Sequence, residues 1–348
     1  MIYNYFFLFL IVFSTISARA QQQYKVGLIG FYNLENLFDT INQPDVNDED
    51  FTPLGANKYT GAVYKDKLSK LEQVLSEMGK EQSPDGISIL GVAEIENRSV
   101  LEDLVSMPKL KDKFYQIVHY DSKDARGIDV GLLYNPKYFK VKNSESLLVP
   151  IYNKDSTDYE YFTRDILFVS GEYMGEMIHI FVNHWPSRRG GEEKTSPLRE
   201  LAAAVCKHKI DSLMAINPNS KVVVMGDLND NPTNASISKV LNAKRKVEDV
   251  KTSGLFNPWA DFYKKGIGTL AWNDTWSLFD QIIFSEAFLN KEQTGLFFKE
   301  AHIYKKNYML QQAGRFKGYP LRTFVGGTYM GGYSDHFPTY IVLLKVIK

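Results

Sequence analysis

The sequence predicts an α/β fold in which two β-sheets pack face to face and helices lie outside them. Three observations support this fold: many short apolar runs have the length of strands, few segments have helical periodicity, and the first and last strands are apolar enough to be buried. A single doubly wound parallel sheet fits less well, because its strands and helices alternate regularly along the chain.

In the N-terminal half, one helix and three strands are predicted. Apolar residues recur at helical spacing from Lys67 to Met78, which predicts an amphipathic helix. Residues 42–57 are acidic and interrupted by proline, which predicts a loop. Strands are predicted at residues 24–31, 87–92 and 128–134.

The C-terminal half adds a helix and five strands. Strands are predicted at residues 162–169, 177–182, 221–225, 277–284 and 339–346. The first two of these are expected to form a hairpin around Gly171 and Gly175. Ser196 and Pro197 predict the start of a helix, since proline is favoured in the first turn. No proline- or serine-rich linker divides the chain, so one domain is expected over residues 21–348.

The first twenty residues are expected to be a cleaved signal peptide. Residues 1–16 carry no charge and are rich in Phe, Leu and Ile, and Ala18 and Ala20 form a small-residue cleavage pattern before Gln21. The apolar stretch is too short for a spanning helix. We therefore expect a secreted or periplasmic protein, cleaved near Ala20, with no stable membrane span, and we expect a monomer.

The charge balance limits the classes of binding partner that the sequence favours. The chain has 41 Lys and Arg against 41 Asp and Glu, and loss of Arg19 with the signal peptide leaves 40 against 41, a net charge of −1. This balance argues against a protein that coats nucleic acid, and leaves open an enzyme that acts on phosphates. The only cysteine, Cys206, cannot form an internal disulfide.

Four polar segments lie at the ends of apolar, strand-like runs, at residues 92–97, 183–186, 226–229 and 334–336. Strands of one sheet end on one edge, so distant polar residues can converge there. Cleavage of a phosphate ester needs charge neutralisation at the phosphoryl oxygens, an activated water and help for the leaving oxygen. The four segments carry carboxylate, amide and imidazole groups suited to these tasks.

Glu94 is the first candidate metal ligand, because it directly follows an apolar strand. Glu96 competes with it, since strand alternation predicts both on one face. A single glutamate in this position is also commonly just exposed to solvent. Asp227 and Asn229 alternate toward one face and could hold a water and a phosphoryl oxygen, although the same residues also suit an Asx turn.

His184 and His336 are the candidate proton carriers, because imidazole titrates near neutral pH. Asp280 lies within an apolar strand, where a carboxylate needs a partner, and His336 is the predicted partner. For His184 the nearest candidate carboxylate is Asp129. The remaining histidines are interpreted as structural, namely His119, His179, His208 and His302.

Arg126 and Arg188 lie beside glycines in predicted loops, where an arginine can bind phosphate through two parallel hydrogen bonds. Solvated loop charges explain the same pattern equally well. Both arginines are candidate substrate-binding residues.

The ordered set of polar residues resembles the endonuclease/exonuclease/phosphatase superfamily over nearly the whole mature chain. The residues that carry the resemblance are Asn33, Glu94, His184, Asp227, Asn229, Asp280, Ser334, Asp335 and His336. Residues 31–39, 126–130 and 331–336 are similar to the secreted bacterial endonuclease-like members. The resemblance implies a four-layer α/β sandwich of two packed mixed β-sheets flanked by helices, with the active site at one edge of the sheets.

The resemblance also implies a role for each residue. Asn33, Glu94 and Asp335 would hold the metal, and oxygen ligands without a thiolate favour Mg²⁺, with Mn²⁺ as an alternative. Asp227 and Asn229 would position the water and the phosphate. His336 with Asp280 would act as acid or base, and His184 would bind or protonate phosphate oxygens.

The expected function is that of a secreted, divalent-metal-dependent phosphoesterase, a nuclease that hydrolyses phosphodiester bonds with water activated by His and Asp. The alternative is an inositol-phosphate or phospholipid phosphoesterase of the sphingomyelinase type. A third hypothesis is a binding protein of this fold without catalytic activity, since a fold does not determine a function.

Overall fold

The computed structural model describes residues 22–152, 160–290, 292 and 294–347. The signal peptide expected at residues 1–20 lies outside them. The described strands are β1 Tyr24–Leu37, β2 Ile89–Ile95, β3 Gln116–His119, β4 Asp129–Tyr134, β5 Phe139–Leu147, β6 Ile151–Tyr152, β7 Glu160–Tyr161, β8 Ile166–Tyr173, β9 Glu176–His184, β10 Lys221–Asp227, β11 Leu255–Phe256, β12 Leu270–Trp272, β13 Thr275–Ser277, β14 Asp280–Ser285, β15 Leu296–Ile303, β16 Phe324–Val325, β17 Thr328–Tyr329 and β18 Thr339–Val346. The α-helices are α1 Gly61–Glu77, α2 Arg98–Ser106, α3 Pro108–Lys111, α4 Glu192–Ile216 and α5 Trp259–Lys264.

Two mixed sheets of six strands form the centre of the fold. The first has the order β15-β18-β1-β2-β4-β3, and the second has the order β11-β14-β10-β9-β8-β5. In the first sheet β1 runs parallel to β2 and antiparallel to β18. In the second sheet β10 runs parallel to β9 and antiparallel to β14. Each sheet therefore has a central parallel pair whose carboxyl ends lie at the same edge.

Side-chain alternation along the strands divides the apolar residues into three layers. Ile29 of β1 and Val223 of β10 belong to the core between the sheets. Leu28, next along β1, instead faces the outer cluster that contains the apolar stripe of α1. On the far side, Val222 and Val224 of β10 pack with α4. The expected four-layer sandwich of two packed mixed sheets is confirmed.

Gly91 of β2 shows how closely the sheets approach. A Cβ atom at this position would lie 3.1 Å from Met225 and Val182 of the opposite sheet. Contacts this short force the neighbouring side chains to shift, so a larger residue here would push the sheets apart. The glycine lies three residues before Glu94, and it keeps the two sheets close where the polar residues converge.

Several predicted boundaries differ from the structure. The hairpin turn lies at Met174 and Gly175, whereas Gly171 lies inside β8, where a Cβ would clash with the Phe139 ring at 2.6 Å. The glycine there serves close packing rather than a turn. Helix α4 starts at Glu192, ahead of Pro197, and its first turn carries two glutamates that favour the positive end of the helix dipole.

The strand predicted over 277–284 is also divided. Residues up to Ser277 belong to the small β12–β13 ribbon, and the sheet strand β14 begins only at Asp280. The last strand matches its predicted bounds, Thr339–Val346. Among the residues described, none of the helices is both long enough and apolar enough to span a bilayer.

Candidate active site

The polar ends of strands from both sheets meet at Asn33. Its Nδ2 donates to Glu94 Oε1 at 3.3 Å and to Asp227 Oδ2 at 3.0 Å. Asn33 lies on β1, Glu94 on β2 and Asp227 at the end of β10, so the contact joins the first sheet to the second. The convergence expected from the strand ends is therefore present in the structure.

A strand irregularity aims Glu94 into this site. Glu94 has a φ of 58°, and the register of β2 against β4 shifts between Ala93 and Ile95. A bulge of this kind redirects a side chain, and positive φ at a residue other than glycine is characteristic of functional sites. Glu94 Oε2 also accepts a hydrogen bond from the backbone N of Asn36 at 3.0 Å, which fixes the carboxylate.

The bulge also overturns the expectation that Glu94 and Glu96 share one face. Glu96 Oε2 accepts from the backbone N of Asp39 at 2.6 Å, so it supports the loop after β1 rather than the site. Burial raises the pKa of Glu96 to about 8, and the carboxylate of Asp39 adds to the shift. Strand alternation failed here because it assumes a regular strand.

Asp227 and Asn229 form an Asx turn and belong to the site at the same time. Asp227 Oδ1 accepts from the backbone N of Asn229 at 3.0 Å, which leaves Oδ2 to face Asn33 and both histidines. Asn229 has a φ of 49°, and its Nδ2 donates to the Trp185 carbonyl at 2.9 Å. Burial raises the pKa of Asp227 to about 7, against the opposing charge of His336.

His336 and Asp280 lie in contact, as the sequence predicts. His336 Nδ1 is 2.7 Å from Asp280 Oδ2, and Asp280 is fully buried. The same Asp280 oxygen accepts a hydrogen bond from Thr269 Oγ1, which holds the carboxylate in place. Burial alone would lower the pKa of His336, but the carboxylates of Asp280, Asp335 and Asp227 outweigh it and raise the pKa well above the usual value.

Ser334 joins this pair to the metal side of the site. Its Oγ donates to the Asn33 carbonyl at 2.7 Å and accepts from the backbone N of His336 at 3.0 Å. The Ser334-Asp335-His336 segment is thereby fixed to β1 of the first sheet. Hydrogen bonds at the backbone N and at the ring Nδ1 therefore both fix the position of His336.

The carboxylates nearest to His184 in the structure differ from Asp129, which the sequence suggested. Its Nε2 lies 3.8 Å from Glu94 Oε1 and 3.7 Å from Asp227 Oδ2. Asp129 is not its partner, because Asp129 Oδ2 lies 3.4 Å from His119 Nε2. Burial lowers the pKa of His184 well below the usual value, and the charges of Arg164 and Arg126 lower it further. The two site histidines therefore have pKa values displaced in opposite directions.

The centre of the site suits a hard divalent ion. In the part of the chain that the structure describes, Glu94 and Asp227 have no lysine or arginine within 4 Å, and the basic side chains within that distance are His184 and His336. Two carboxylates without a fixed cation provide the oxygen ligands that Mg²⁺ and Mn²⁺ prefer. Asn33 presents its Nδ2 to them, and its Oδ1 accepts from the backbone N of Glu35 at 2.9 Å. Asp335, the third predicted ligand, lies 3.8 Å from His336 Nε2 and accepts from Arg322 at 2.7 Å.

A second arrangement of possible ligands overlaps this one. Asp227, Asp280 and His336 also have ligand atoms within 4.8 Å of one another. Asp280 Oδ2 accepts from both Thr269 and His336, whereas its Oδ1 is buried and has no hydrogen-bond partner among the described residues. The predicted role of Glu94 and Asn33 in holding the ion stays a prediction.

The two candidate phosphate-binding arginines differ in what they contact. Arg188 Nε donates to the Asn229 carbonyl at 2.8 Å, and its guanidinium also bonds Asp230, Glu192 and Asn234. Most of its donors are therefore used within the protein, where they hold the Asn229 turn. Arg126 is half-exposed and lies 3.8 Å from Asp124. Among the described residues, Arg126 is therefore the arginine of the two that keeps donors available for a substrate.

Sequence reasoning missed a buried ionic network beside the site. Lys67 is fully buried on α1 and donates to Thr323 Oγ1 at 2.6 Å, while Glu35 accepts from the Thr323 backbone N at 2.7 Å. Burial raises the pKa of Glu35 to about 7 and lowers that of Lys67 to about 8. The available signal was a lysine on the apolar face of an amphipathic helix, one residue before Leu68.

A groove of about 470 Å³ opens beside Asp335 and Arg188. Its walls include Phe279, Arg322 and the indole of Trp272, which is 71% exposed. A larger cavity of about 780 Å³ lies around Glu176 and Lys221, where β9 and β10 begin. None of the candidate catalytic residues lines that cavity, so size alone does not mark the active site.

Comparison with solved structures shows the same fold in several proteins. An endonuclease/exonuclease/phosphatase family protein from Bacteroides thetaiotaomicron is 16% identical, with 93% of this chain and 97% of that chain covered and a TM-score of 0.54. TDP2 from D. rerio, complexed with single-strand DNA product, is 13% identical, with 91% and 98% covered and a TM-score of 0.52. Truncated Caenorhabditis elegans TDP2 is 17% identical, with 91% and 97% covered and a TM-score of 0.51.

No curated protein matches the sequence of this chain. The sequence does match a family profile, and the match extends from residue 28 to residue 345, from β1 to β18. It therefore includes every residue of the site described above. The chain belongs to the Endonuclease/Exonuclease/phosphatase family.

Proposed function

We propose that this protein is a secreted, Mg²⁺-dependent phosphoesterase that hydrolyses phosphodiester bonds in nucleic acids. The observation that carries the proposal is the contact of Asn33 with both Glu94 and Asp227, with His184 Nε2 3.8 Å from Glu94 and His336 Nε2 3.8 Å from Asp227. This arrangement combines oxygen ligands for a cation with two imidazoles of opposite pKa displacement. Such pairs of displaced groups are typical of acid–base assignments in active sites.

Each group has a role that its surroundings favour. Glu94 and Asn33, with Asp335, would hold the metal, which neutralises charge on the phosphoryl oxygens when bound. Asp227, with its raised pKa, can accept the proton of the attacking water at neutral pH. The Nε2 atom of His336 lies 3.8 Å from Asp227 Oδ2. The Nε2 atom of His184 lies 3.7 Å from the same oxygen. Both distances exceed a hydrogen bond, so each ring nitrogen is free to bond a substrate oxygen.

Two observations support a nucleic acid as the substrate. The groove beside Asp335 combines an exposed indole with Arg322, and aromatic and cationic side chains together suit bases and backbone phosphates. The similar D. rerio structure holds a single-strand DNA product. Secretion rests on the apolar N-terminal segment alone.

The purified mature protein should be assayed with Mg²⁺ against plasmid DNA, RNA, inositol phosphates and sphingomyelin. We expect cleavage of DNA or RNA. If the nucleic acids stay intact while an inositol phosphate or sphingomyelin is hydrolysed, the phosphatase or phospholipase alternative is correct. If the protein binds Mg²⁺ and hydrolyses none of them, it is a silent member of the family.

Arg126→Ala should raise the KM for nucleic acid without changing sequence preference, because contacts to phosphate carry no base information. The loss of one phosphate contact should also reduce the slope of log affinity against log salt by about one unit. Steady-state kinetics at several salt concentrations measure both effects. A lower kcat with an unchanged KM would place Arg126 outside the substrate path.

The mature protein should begin at Gln21, because cleavage is expected after Ala20. Intact mass and N-terminal peptide mapping of the periplasmic or secreted fraction measure this directly. Ala20→Arg, which places a bulky charge at the cleavage position, should block processing. A cytoplasmic product that still begins at Met1 would contradict the expectation.

A further inference from the structure

A second group of metal-binding side chains lies at the adjoining ends of β3 and β4. His119 ends β3, Asp121 follows it, and Asp129 begins β4, and their ligand atoms all lie within 4.8 Å of one another. Asp129 pairs with Ile95 across the sheet, so the group lies at the same sheet edge as the active site. It shares no residue with the catalytic group.

The ring of His119 is buried and incompletely bonded. Its side chain is only 3% exposed, and its Nε2 has no hydrogen-bond partner among the residues that the structure describes, although it faces Asp129 Oδ2 at 3.4 Å. A charge-assisted hydrogen bond between these groups would measure about 2.7–2.9 Å. Two ligands on one tetrahedral ion, each bonded at about 2.0–2.1 Å, lie about 3.3 Å apart. The separation therefore matches two ligands of one ion better than a direct hydrogen bond.

The other two residues complete the arrangement. Asp129 Oδ1 accepts from the backbone N of Ser122 at 2.9 Å, which fixes the carboxylate with Oδ2 toward the imidazole. Hydrogen bonds of this kind orient ligands in metal sites. Asp121 is the exposed member of the group: its side chain is 82% exposed, and one of its carboxylate oxygens lies within 4.8 Å of the ligand atoms of His119 and Asp129, so it is free to rotate toward an ion.

We propose that His119, Asp129 and Asp121 form a second divalent-cation site, separate from the catalytic one, which takes Zn²⁺ or Co²⁺ in preference to Mg²⁺. One imidazole and two carboxylates, with water in the fourth position, suit ions of intermediate softness. Mg²⁺ instead prefers six oxygen ligands in octahedral geometry. The two sites should therefore differ in the ion that they select.

The position of the site indicates what the ion would do. The loop between β3 and β4 carries Asp124, which accepts from Arg164 at 3.2 Å. Arg164 donates in turn to the Trp185 carbonyl at 2.7 Å, and Asn229 donates to the same carbonyl at 2.9 Å. An ion bound by residues at both ends of this loop would fix it, and so support the backbone beside His184.

The test compares the Zn²⁺ content of three proteins after equilibrium dialysis. His119→Ala should bind one Zn²⁺ fewer per chain than the wild type. His302→Ala is the matched control, since His302 also lies on a strand with its Nε2 3.1 Å from a glutamate, Glu300, and it should keep the wild-type content. The difference between variants excludes any ion bound at the catalytic group. Equal Zn²⁺ content in His119→Ala and the wild type would overturn the proposal.

Asp121→Asn gives a second measurement that does not depend on the buried ring. Because Asp121 is exposed, the variant should fold normally, yet its Zn²⁺ affinity should fall about 10-fold or more. Bound Co²⁺ should also show a visible absorption band that is lost in His119→Ala and kept in His302→Ala. Unchanged Zn²⁺ affinity in Asp121→Asn, or a Co²⁺ band that persists in His119→Ala, would show that these residues do not bind the ion.

Discussion

Glu94→Gln should reduce hydrolysis by about 10³-fold or more while the fold survives. Metal stabilisation of the phosphoryl charge contributes several kcal/mol, and each 1.36 kcal/mol is a factor of ten in rate. Glutamine keeps the size of the side chain and an oxygen that can accept from Asn36. It removes the negative charge that would hold the cation. The measurement is kcat at saturating Mg²⁺, with circular dichroism to confirm the fold.

Two controls separate metal loss from general damage. Glu81→Gln removes a surface glutamate that pairs with Lys306, and it should leave kcat unchanged. Mg²⁺ should raise the melting temperature of the wild type, because a ligand that binds only the folded state stabilises it. That rise should be absent in Glu94→Gln. Full activity of the wild type in excess chelator would show that no metal takes part.

The fold was predictable because its signals are local. The last strand contains an apolar run from Tyr340 to Leu344, and its predicted bounds, Thr339–Val346, agree with the structure. The layered arrangement followed from many strands, few helices and buried terminal strands. The Asp280–His336 contact was also predictable, since a carboxylate within an apolar strand needs a partner and His336 was the available imidazole.

The missed features depend on long-range contacts or on irregular backbone. Glu94 separates from Glu96 because of a bulge, which no periodic pattern reveals. The partners of His184 come from β2 and β10, so spacing along the chain pointed instead to Asp129. Arg188 has the glycine neighbours of a phosphate-binding loop, yet its donors bond residues that fold back from the segment after β10.

The opposite pKa displacements of the two histidines also required the three-dimensional structure. Both lie in short polar segments at strand ends, and the sequence does not indicate in which direction the pKa of either ring is displaced. Three carboxylates around His336 favour its charged form, whereas burial, reinforced by two nearby arginines, favours the neutral form of His184. His336 is therefore the better candidate for the proton donor, and His184 is the better candidate for a neutral hydrogen-bonding group.

His336→Ala should lower kcat by about 10²–10⁴-fold, the usual contribution of general acid–base catalysis. Asp280→Asn should lower kcat by a smaller factor than His336→Ala, because the amide oxygen can still accept from Thr269 and from His336 Nδ1. The amide carries no charge, so the pKa of His336 should fall. If protonated His336 is the acid, activity is lost as pH rises through its pKa. The alkaline limb of the kcat profile should then move to lower pH in Asp280→Asn.

The double variant decides whether His336 and Asp280 act as one unit. Asp280 reaches the reaction only through the ring, so His336→Ala with Asp280→Asn should be no slower than His336→Ala alone. Thr269→Val serves as a control, because it removes the second hydrogen bond to Asp280 while leaving the charge in place. It should change kcat less than Asp280→Asn and leave the alkaline limb nearly unmoved. If the two single losses multiply instead, Asp280 acts independently of the ring, and His184 becomes the better candidate for the acid.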